Sequence, residues 1–232
     1  MGGHKFHLRV YVLCVGALRV FVFEKILVLI AAHKYDINDT DNIYGHLTNT
    51  ARSAEDVHFD ERKFVKILED LPQYLLSERP DIAPNQESAD SIIVQVKKDI
   101  FDITNELFKA FENEYTVFAP MNNCFEIFGL DFMVDENLRT SLLEVNPGPD
   151  FQQTGGRLKT VIEDLWEQTL QIVLDSNIDE NCKNIPENIG KNIENLNENK
   201  EYNVMGNATR DFMCVYSKES STSHLKGGMS FT

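Results

Sequence analysis

The sequence predicts an α/β (α+β) fold in which a largely antiparallel sheet is covered by helices. Three observations support this prediction. Residues 7–31 hold short apolar runs separated by turn residues, which is typical of successive strands. Residues 125–146 have the pattern of a β-hairpin. Residues 87–111 have the apolar spacing of an amphipathic helix that covers a sheet.

The apolar N-terminal segment is predicted to form three strands, over residues 7–15, 18–23 and 27–31. Val, Leu and Phe are frequent in each run, and short turns separate the runs. A membrane span over residues 10–32 is the alternative. Three charged residues near its middle would be costly in a bilayer: Arg19, Glu24 and Lys25. We therefore predict buried strands and no membrane partner.

Three helices are predicted along the rest of the chain. Residues 87–111 carry apolar side chains at three- and four-residue spacing, so one face of this helix is expected to pack on the core. A second helix is predicted over residues 156–174. A shorter helix over residues 61–76 is expected to bend or end at Pro72, because proline has no backbone N–H to donate.

The predicted hairpin consists of an apolar strand over residues 125–134, a polar turn, and a return strand over residues 140–146. A last strand is predicted over residues 212–216.

Composition divides the chain into three parts. Residues 1–175 are predicted to form the main domain. In residues 176–205 Asn and Glu dominate and large apolar residues are sparse, which predicts a disordered insertion. Residues 206–232 are expected to hold the last strand and a flexible tail.

The charge of the chain restricts its partners. Lys and Arg number 22 against 37 Asp and Glu, which gives a formal net charge of -15. Such a surface repels nucleic acid, so no direct nucleic-acid partner is predicted. The four cysteines are widely separated, with no Cys-x-x-Cys pair, which favours reduced thiols in a cytoplasmic protein.

Acidic and amide side chains in the predicted hairpin suggest a cation site. Asp131 lies in one apolar strand, and Glu144 and Asn146 lie in the other. Side chains two positions apart share a face of a strand, so Glu144 and Asn146 are expected to project together, with Asp131 across from them. Hard oxygen ligands of this kind suit Mg²⁺ bound to a triphosphate. In the alternative interpretation, the two carboxylates are edge-strand charges or pair with basic residues.

Four blocks in order resemble a known family. They are Lys5-Phe6-His7-Leu8-Arg9, His46-Leu47-Thr48-Asn49, Phe128 to Asp135, and Leu142 to Pro149. Together they resemble the signature of the tubulin–tyrosine ligase-like family, which has the ATP-grasp fold, and the fungal P-body-associated branch looks most similar. The resemblance implies that residues 1–175 are the C-terminal part of an ATP-grasp domain. The N-terminal half of that domain is expected to lie outside this chain.

The resemblance also implies roles for individual residues. Asp131, Glu144 and Asn146 would bind magnesium. Lys5 would contact the nucleotide ribose, and Arg9 would reach the γ-phosphate as the catalytic cation. His7, Thr48 and Asn49 complete the implied nucleotide-binding set, with residues 46–49 bordering the phosphate and the acceptor. Without the family context, Lys5 and Arg9 could equally be the solvated end of a strand.

The implied reaction is amide formation with ATP and Mg²⁺ as cofactors. ATP phosphorylates a carboxylate, an amine attacks the acyl phosphate, and ADP and phosphate leave. The substrate would be a protein, with tubulin one candidate, and the location cytoplasmic, with the P-body one candidate. The intact parent is expected to be a ligase, whereas this chain alone is expected to be inactive.

The sequence departs from the family pattern at two positions. His7 replaces an acid, and Leu29 stands in an apolar stretch where a second arginine is expected. The net charge of -15 also disfavours an acidic tubulin tail as substrate. These departures support a second hypothesis, a catalytically weak nucleotide-binding or scaffold protein of cytoplasmic RNA granules.

Overall fold

Seven strands form one antiparallel sheet in the computed structural model, which describes residues 1–48, 60–149, 151, 159–179 and 211–218. The strands are β1 (Phe6–Val15), β2 (Arg19–Phe23), β3 (Leu27–Ile30), β4 (Val65–Ile67), β5 (Phe125–Val134), β6 (Thr140–Pro147) and β7 (Phe212–Ser217). The helices are α1 (Ile43–His46), α2 (Glu61–Phe64), α3 (Leu71–Glu78), α4 (Gln86–Phe111) and α5 (Lys159–Asp179). A 3-10 turn, Leu68–Asp70, precedes α3.

Strand β1 is the centre of the sheet. Strands β2 and β3 share one of its edges, because β3 pairs with its first half and β2 with its second half. Strand β5 pairs along the other edge, and β6 follows β5 as the outer strand of the hairpin. Strands β7 and β4 pair with β2 and β3 in turn. All of these pairings are antiparallel. Short turns join β1 to β2 and β5 to β6, as antiparallel pairs allow, whereas long segments separate β1 from β5, β2 from β7 and β3 from β4.

Alternation along β1 divides its side chains between two cores. Its even-numbered residues, such as Leu8 and Val10, pack with α4 in one cluster. Its odd-numbered residues from Tyr11 onward pack with α5 in the other. Helix α4 is long and amphipathic, and the side chain of its N-cap residue Asn85 accepts a hydrogen bond from the Ser88 amide. We call the two surfaces the α4 face and the α5 face of the sheet.

Salt bridges also join helix α5 to the turn between β2 and β3. Lys25, in the turn between β2 and β3, contacts Asp164 of α5 at 2.6 Å and Asp211 at 2.9 Å. Gln168 of α5 donates to the Asp211 carboxylate and accepts from its backbone N–H, both at 2.9 Å. Helix α5 is therefore held both by apolar burial and by a polar network at the sheet edge.

The predicted fold class is confirmed, and most predicted elements lie within a few residues of the observed ones. The prediction of a single helix over residues 61–76 is wrong. This stretch forms α2, then strand β4, then the 3-10 turn and α3. Pro72 lies in the first turn of α3, where its missing N–H costs nothing, so it begins a helix instead of ending one.

The predicted Asn- and Glu-rich insertion falls largely outside the described residues. Helix α5 extends to Asp179, into the start of that segment, and residues 180–205 are not among those that the structure describes. In the described part of the chain, no helix combines the length and the apolar composition needed to cross a membrane.

Candidate nucleotide and metal site

The β5–β6 hairpin brings the predicted metal ligands to one surface. Asp131 of β5 is the cross-strand partner of Glu144 in β6, and Gly129 is the partner of Asn146. Cross-strand partners project from the same face of a sheet, so the two carboxylates and the amide share the α5 face. The amide nitrogen of Asn146 donates to Glu144 Oε1 at 3.1 Å, so its amide oxygen remains the candidate ligand atom.

An irregularity in β6 makes this arrangement possible. Asp131 pairs with Glu144, but the next residue, Phe132, pairs with Leu142, so Leu143 is an extra residue in β6. Leu142 and Glu144 are both even-numbered and would share a face in a regular strand. The bulge sends Leu142 to the cluster on the α4 face while Glu144 stays on the α5 face. One hairpin thus supplies both a core residue and a polar site.

Arg9 of β1 holds the buried carboxylate of Asp131. Arg9 Nε donates to Asp131 Oδ1, and Arg9 Nη2 donates to Asp131 Oδ2 at 2.8 Å. Their side chains are only 11% and 7% exposed, so each charge depends on the other for compensation. The alternative interpretation of Asp131, that it pairs with a basic residue, therefore describes this structure.

Gly129 leaves room for the Arg9 side chain. A Cβ atom added at Gly129 would lie 2.9 Å from Pro149 Cβ and 3.3 Å from Arg9 Cδ. Both contacts are shorter than normal packing allows, so any larger residue would push Arg9 or Pro149 away. The glycine before the Leu130-Asp131 pair is thus a requirement of the site, because the arginine must cross the strand to reach its carboxylate.

His7 connects the site to the segment that follows α1. Its Nδ1 lies 2.5 Å from Thr48 Oγ1, and its Nε2 lies 3.7 Å from Asp131 Oδ1. The residue is 8% exposed. Its Nε2 is a buried atom that makes no hydrogen bond within the described part of the chain. His7 therefore fills the space between the Thr48 segment and the Asp131 carboxylate.

The pKa values of His7 and Arg9 shift in opposite directions. Burial lowers the pKa of His7; the Asp131 carboxylate opposes this effect, and the positive charges of Arg9 and Lys5 add to it. Burial also acts to lower the pKa of Arg9, but hydrogen bonds and negative charge from Asp131, with a contribution from Glu144, raise it overall. At neutral pH the site thus holds a neutral imidazole beside a permanently charged guanidinium.

The remaining predicted residues differ in how close the structure brings them to the site. Lys5 is exposed and lies immediately before β1, and its positive charge contributes to the lowered pKa of His7. Thr48 is brought to His7, whereas Asn49 lies outside the described residues. Leu29 is the cross-strand partner of His7 and is buried in the cluster of the α5 face. No second arginine occupies that position, as the sequence indicated.

The sequence alone did not reveal two contacts of this site. The Arg9–Asp131 pair joins residues 122 positions apart, and the His7–Thr48 contact joins residues 41 positions apart. Both depend on the pairing of β1 with its neighbours, which no local pattern specifies. The Gly129-x-Asp131 spacing was visible, but its steric purpose emerges only when Arg9 is placed over the glycine.

The donor set fits a hard divalent cation. Asp131 and Glu144 supply carboxylates and Asn146 supplies an amide oxygen, which are the ligand types that Mg²⁺ prefers, with phosphate and water completing the octahedron. Across the described residues, no group of three or more His, Cys, Asp and Glu side chains converges as a self-contained metal site.

Comparison with known proteins agrees with this geometry. The model of the tubulin-tyrosine ligase family matches residues 1–182. The match covers most of the 232-residue chain, and the chain therefore belongs to this family.

Fungal proteins are among its relatives. The chain is 34% identical over 190 residues to "Probable tubulin--tyrosine ligase PBY1" of Saccharomyces cerevisiae, covering 78% of this chain and 23% of that protein. It is 35% identical over 173 residues to "Probable tubulin--tyrosine ligase C12B10.04" of Schizosaccharomyces pombe, covering 73% of this chain and 38% of that protein. The chain thus spans well under half the length of these relatives.

A solved structure supports the fold. The C-terminal domain of K. lactis Pby1, described as an ATP-grasp enzyme interacting with the mRNA decapping enzyme Dcp2, matches with a TM-score of 0.53 and 32% identity. The match covers 75% of this chain and 44% of that chain. The predicted family, its fungal branch and the ATP-grasp fold class are confirmed, and the individual roles of the site residues stay predictions.

Proposed function

We propose that this chain forms the magnesium- and phosphate-binding part of an ATP-dependent carboxylate–amine ligase that adds an amino acid to a protein. The observation that carries the proposal is the convergence of Asp131, Glu144 and Asn146 on one face of the hairpin, beside the Arg9 guanidinium. Family membership and the ATP-grasp fold support ligase chemistry in general. The chain spans part of its relatives, so the activity is proposed for a protein that also contains a complementary half of the nucleotide cleft.

In the proposed reaction each residue has a separate task. Asp131, Glu144 and Asn146 would hold Mg²⁺, and the bound ion would supply positive charge to neutralise the transferred phosphoryl group. Arg9 leaves Asp131 and contacts the γ-phosphate, where its charge stabilises the transition state. Lys5, which is exposed immediately before β1, is the proposed contact of the ribose. Thr48, held by His7, borders the phosphate, and Asn49 follows it in the sequence.

The chemistry requires that the carboxylate of one substrate and the amine of the other meet at this surface, one of the two substrates being the acceptor protein and the other the amino acid. The carboxylate oxygen attacks the γ-phosphorus, ADP leaves, and the amine then displaces phosphate from the acyl carbon to give an amide. Buried cations favour these two reaction steps, because they stabilise the negative charge that grows on the phosphoryl oxygens during the first step. The side chain of Arg9 is only 11% exposed, so its charge is screened little by water.

The charge of the chain bears on its substrate. A net charge of -15 gives a surface that repels acidic polypeptides. We therefore propose that the acceptor is a protein segment of low negative charge, unless the complementary half supplies a basic groove for a tubulin tail. By analogy with Pby1, which is described as interacting with Dcp2, the cytoplasmic P-body is the proposed location.

A nucleotide-binding protein without ligase activity is the second candidate. Two observations favour it: His7 occupies a position where the family has an acid, and Leu29, buried beside His7, leaves no second arginine for the γ-phosphate. Such a protein would bind ATP and assemble with partners in RNA granules without forming an amide.

The two candidates differ in turnover. The full reading frame of the gene is expressed, and incorporation of radiolabelled amino acids into lysate proteins is measured with ATP and Mg²⁺. The ligase predicts incorporation that Glu144→Gln abolishes and that Glu126→Gln leaves intact. Glu126 is a matched control, because it lies on the same strand as Asp131 but pairs with Cys14, a residue of the opposite face. ATP binding without incorporation of any amino acid would favour the second candidate.

A further inference from the structure

The buried imidazole of His7 is not fully used by the interactions described above. Its Nδ1 is occupied by the Thr48 hydroxyl at 2.5 Å. Its Nε2 is buried, makes no hydrogen bond within the described residues, and faces Asp131 Oδ1 at 3.7 Å. A buried polar atom without a hydrogen bond destabilises the folded state. Beside a carboxylate, such an atom could bind an ion that also contacts the carboxylate.

We propose that His7 Nε2 is a nitrogen ligand for a divalent cation that it shares with Asp131, so that this site takes a borderline cation such as Mn²⁺ or Zn²⁺ as well as Mg²⁺. The inference rests on the metal site of the proposed function and adds a ligand to it. The inference gives a function to His7, which stands at a position where the family has an acid.

The distances support a shared ion. A borderline cation binds imidazole nitrogen at about 2.0–2.1 Å and carboxylate oxygen at about 2.0–2.2 Å, which places two adjacent ligand atoms roughly 3 to 3.5 Å apart. The 3.7 Å between His7 Nε2 and Asp131 Oδ1 requires only a small adjustment to reach that range. The two side chains belong to strands β1 and β5, which are paired at the centre of the sheet, so the backbone holds them on neighbouring strands and the adjustment falls on the side chains.

The Thr48 contact gives the imidazole the orientation that a ligand needs. Histidines that bind metals commonly donate the other ring N–H to an oxygen, which fixes the tautomer and leaves a lone pair on the ligating nitrogen. If His7 Nδ1–H donates to Thr48 Oγ1, Nε2 carries the lone pair, and this atom lies 3.7 Å from Asp131 Oδ1. Thr48 then acts as a positioning residue for the ligand, although it does not contact the ion.

The guanidinium of Arg9 competes with the cation for Asp131. Arg9 contacts both carboxylate oxygens, so a cation must displace at least one of these bonds. In the proposed reaction Arg9 moves to the γ-phosphate, which frees Asp131 when nucleotide enters. The cation should therefore bind more tightly with a triphosphate than alone.

Pulsed electron paramagnetic resonance of bound Mn²⁺ tests the inference directly. The protein from the full reading frame is loaded with Mn²⁺, alone and with the β,γ-methylene analogue of ATP, in unlabelled protein and in protein carrying ¹⁵N-histidine. We expect ¹⁴N modulations that change on ¹⁵N-histidine labelling and disappear in His7→Asp. They should persist in His33→Gln, a histidine that contacts Asn42 at 2.9 Å.

Two further variants keep the test independent of folding. Thr48→Val removes the hydroxyl and is expected to weaken Mn²⁺ binding about tenfold, as loss of an outer hydrogen bond commonly does. His7→Asn replaces the imidazole by an amide of moderate size, in case His7→Asp fails to fold. Circular dichroism of each variant verifies that the comparison is made on folded protein.

The outcomes separate this inference from the proposed function. Bound Mn²⁺ without histidine nitrogen modulations would overturn the role of His7 and leave the oxygen-ligand site standing. Modulations that survive in both His7 variants would overturn it as well. Failure of the folded chain to bind Mn²⁺ under either condition would overturn the inference together with the metal site itself.

Discussion

The guanidinium of Arg9 lies across both carboxylate oxygens of Asp131, between strands that pair at that register. The pair is almost fully buried and lies at the centre of the candidate site. Each member compensates the buried charge of the other when no nucleotide is bound. The same two members are the cation and the carboxylate that the proposed reaction needs apart from each other. Stability and function therefore make different demands on the same two residues.

Removing one member of this pair should be costly. Arg9→Ala leaves the Asp131 carboxylate buried without compensation, and we expect a loss of about 3 to 5 kcal/mol in the free energy of unfolding. Replacing both residues by apolar ones, Arg9→Met with Asp131→Leu, should cost much less than the sum of the single changes. Urea denaturation of the wild type, Arg9→Met, Asp131→Leu and the double variant measures the coupling.

A surface pair supplies the control for that measurement. Arg79 and Asp81 form a similar fork, with distances of 2.9 to 3.2 Å, but their side chains are 40% and 60% exposed. Arg79→Ala should leave the denaturation midpoint unchanged, because water screens and replaces the interaction. Equal losses at Arg9 and Arg79 would contradict the view that burial makes the Arg9–Asp131 pair important.

Gly129 and Gly148 should differ in how they affect the site. Gly129→Ala places a methyl group against Pro149 and Arg9, and we expect a loss of about 1 to 3 kcal/mol through overpacking. Gly148 has a φ of +63° and open space around an added Cβ, so Gly148→Ala should cost about 1 to 2 kcal/mol through the backbone alone.

A nuclear magnetic resonance signal distinguishes the two glycine variants. The Arg9 Nε–H resonance should shift in Gly129→Ala, because the arginine must move, and should stay in place in Gly148→Ala. An unchanged Arg9 signal in the Gly129 variant would show that the strand tolerates a side chain there.

Helix α5 offers a matched pair of leucines. Leu165 is fully buried against the α5 face of the sheet, whereas Leu170 is 50% exposed on the same helix. Leu165→Ala should lower the free energy of unfolding by about 2 to 5 kcal/mol, through lost burial and the cavity left behind. Leu170→Ala should cost much less. Comparable losses at the two positions would mean that α5 is not packed on the sheet as described.

Glu24 should make the protein less stable as pH rises. Burial raises the pKa of Glu24, an effect that Lys97 opposes and that Asp211 and Glu69 reinforce. A raised pKa means that the folded state holds the proton more tightly than the unfolded chain. The stability this provides is complete below the pKa of about 4.3 of an unperturbed Glu and is lost as pH rises through the higher folded value.

The variant Glu24→Gln removes this dependence. It should be slightly more stable than the wild type at pH 7, by less than about 1 kcal/mol, and equally stable at pH 4. Thermal unfolding at both pH values measures the difference. A variant that is less stable than the wild type at pH 7 would show that the Glu24 charge stabilises the fold, through Lys97 4.0 Å away.

The hairpin was predictable because its chemistry is local. Alternating apolar residues and a polar turn defined β5 and β6 to within one residue, and the positions of Asp131 and Glu144 followed from that pairing. The bulge at Leu143 was not predictable, because it depends on the packing of Leu142 in the core cluster on the α4 face. A regular strand would have placed Leu142 and Glu144 on the same face.

Residues 61–78 show where local patterns fail. The apolar residues of this stretch match helical spacing, but Val65 and Ile67 pair with β3 and leave the helix. That pairing is a long-range event, which spacing cannot report. The same limit applies to Arg9 and His7, whose partners were set by the register of β1 and by the segment after α1.

Calorimetry of Mg²⁺-dependent ATP binding tests the central claim most directly. The protein from the full reading frame is titrated with ATP, with and without Mg²⁺, as wild type, Glu144→Gln and the matched control Glu126→Gln. We predict Mg²⁺-dependent binding in the wild type and in Glu126→Gln, and its loss in Glu144→Gln. Binding that is unaffected by Glu144→Gln, or no binding by the folded wild-type protein, would contradict the assignment of this hairpin as the nucleotide-bound magnesium site.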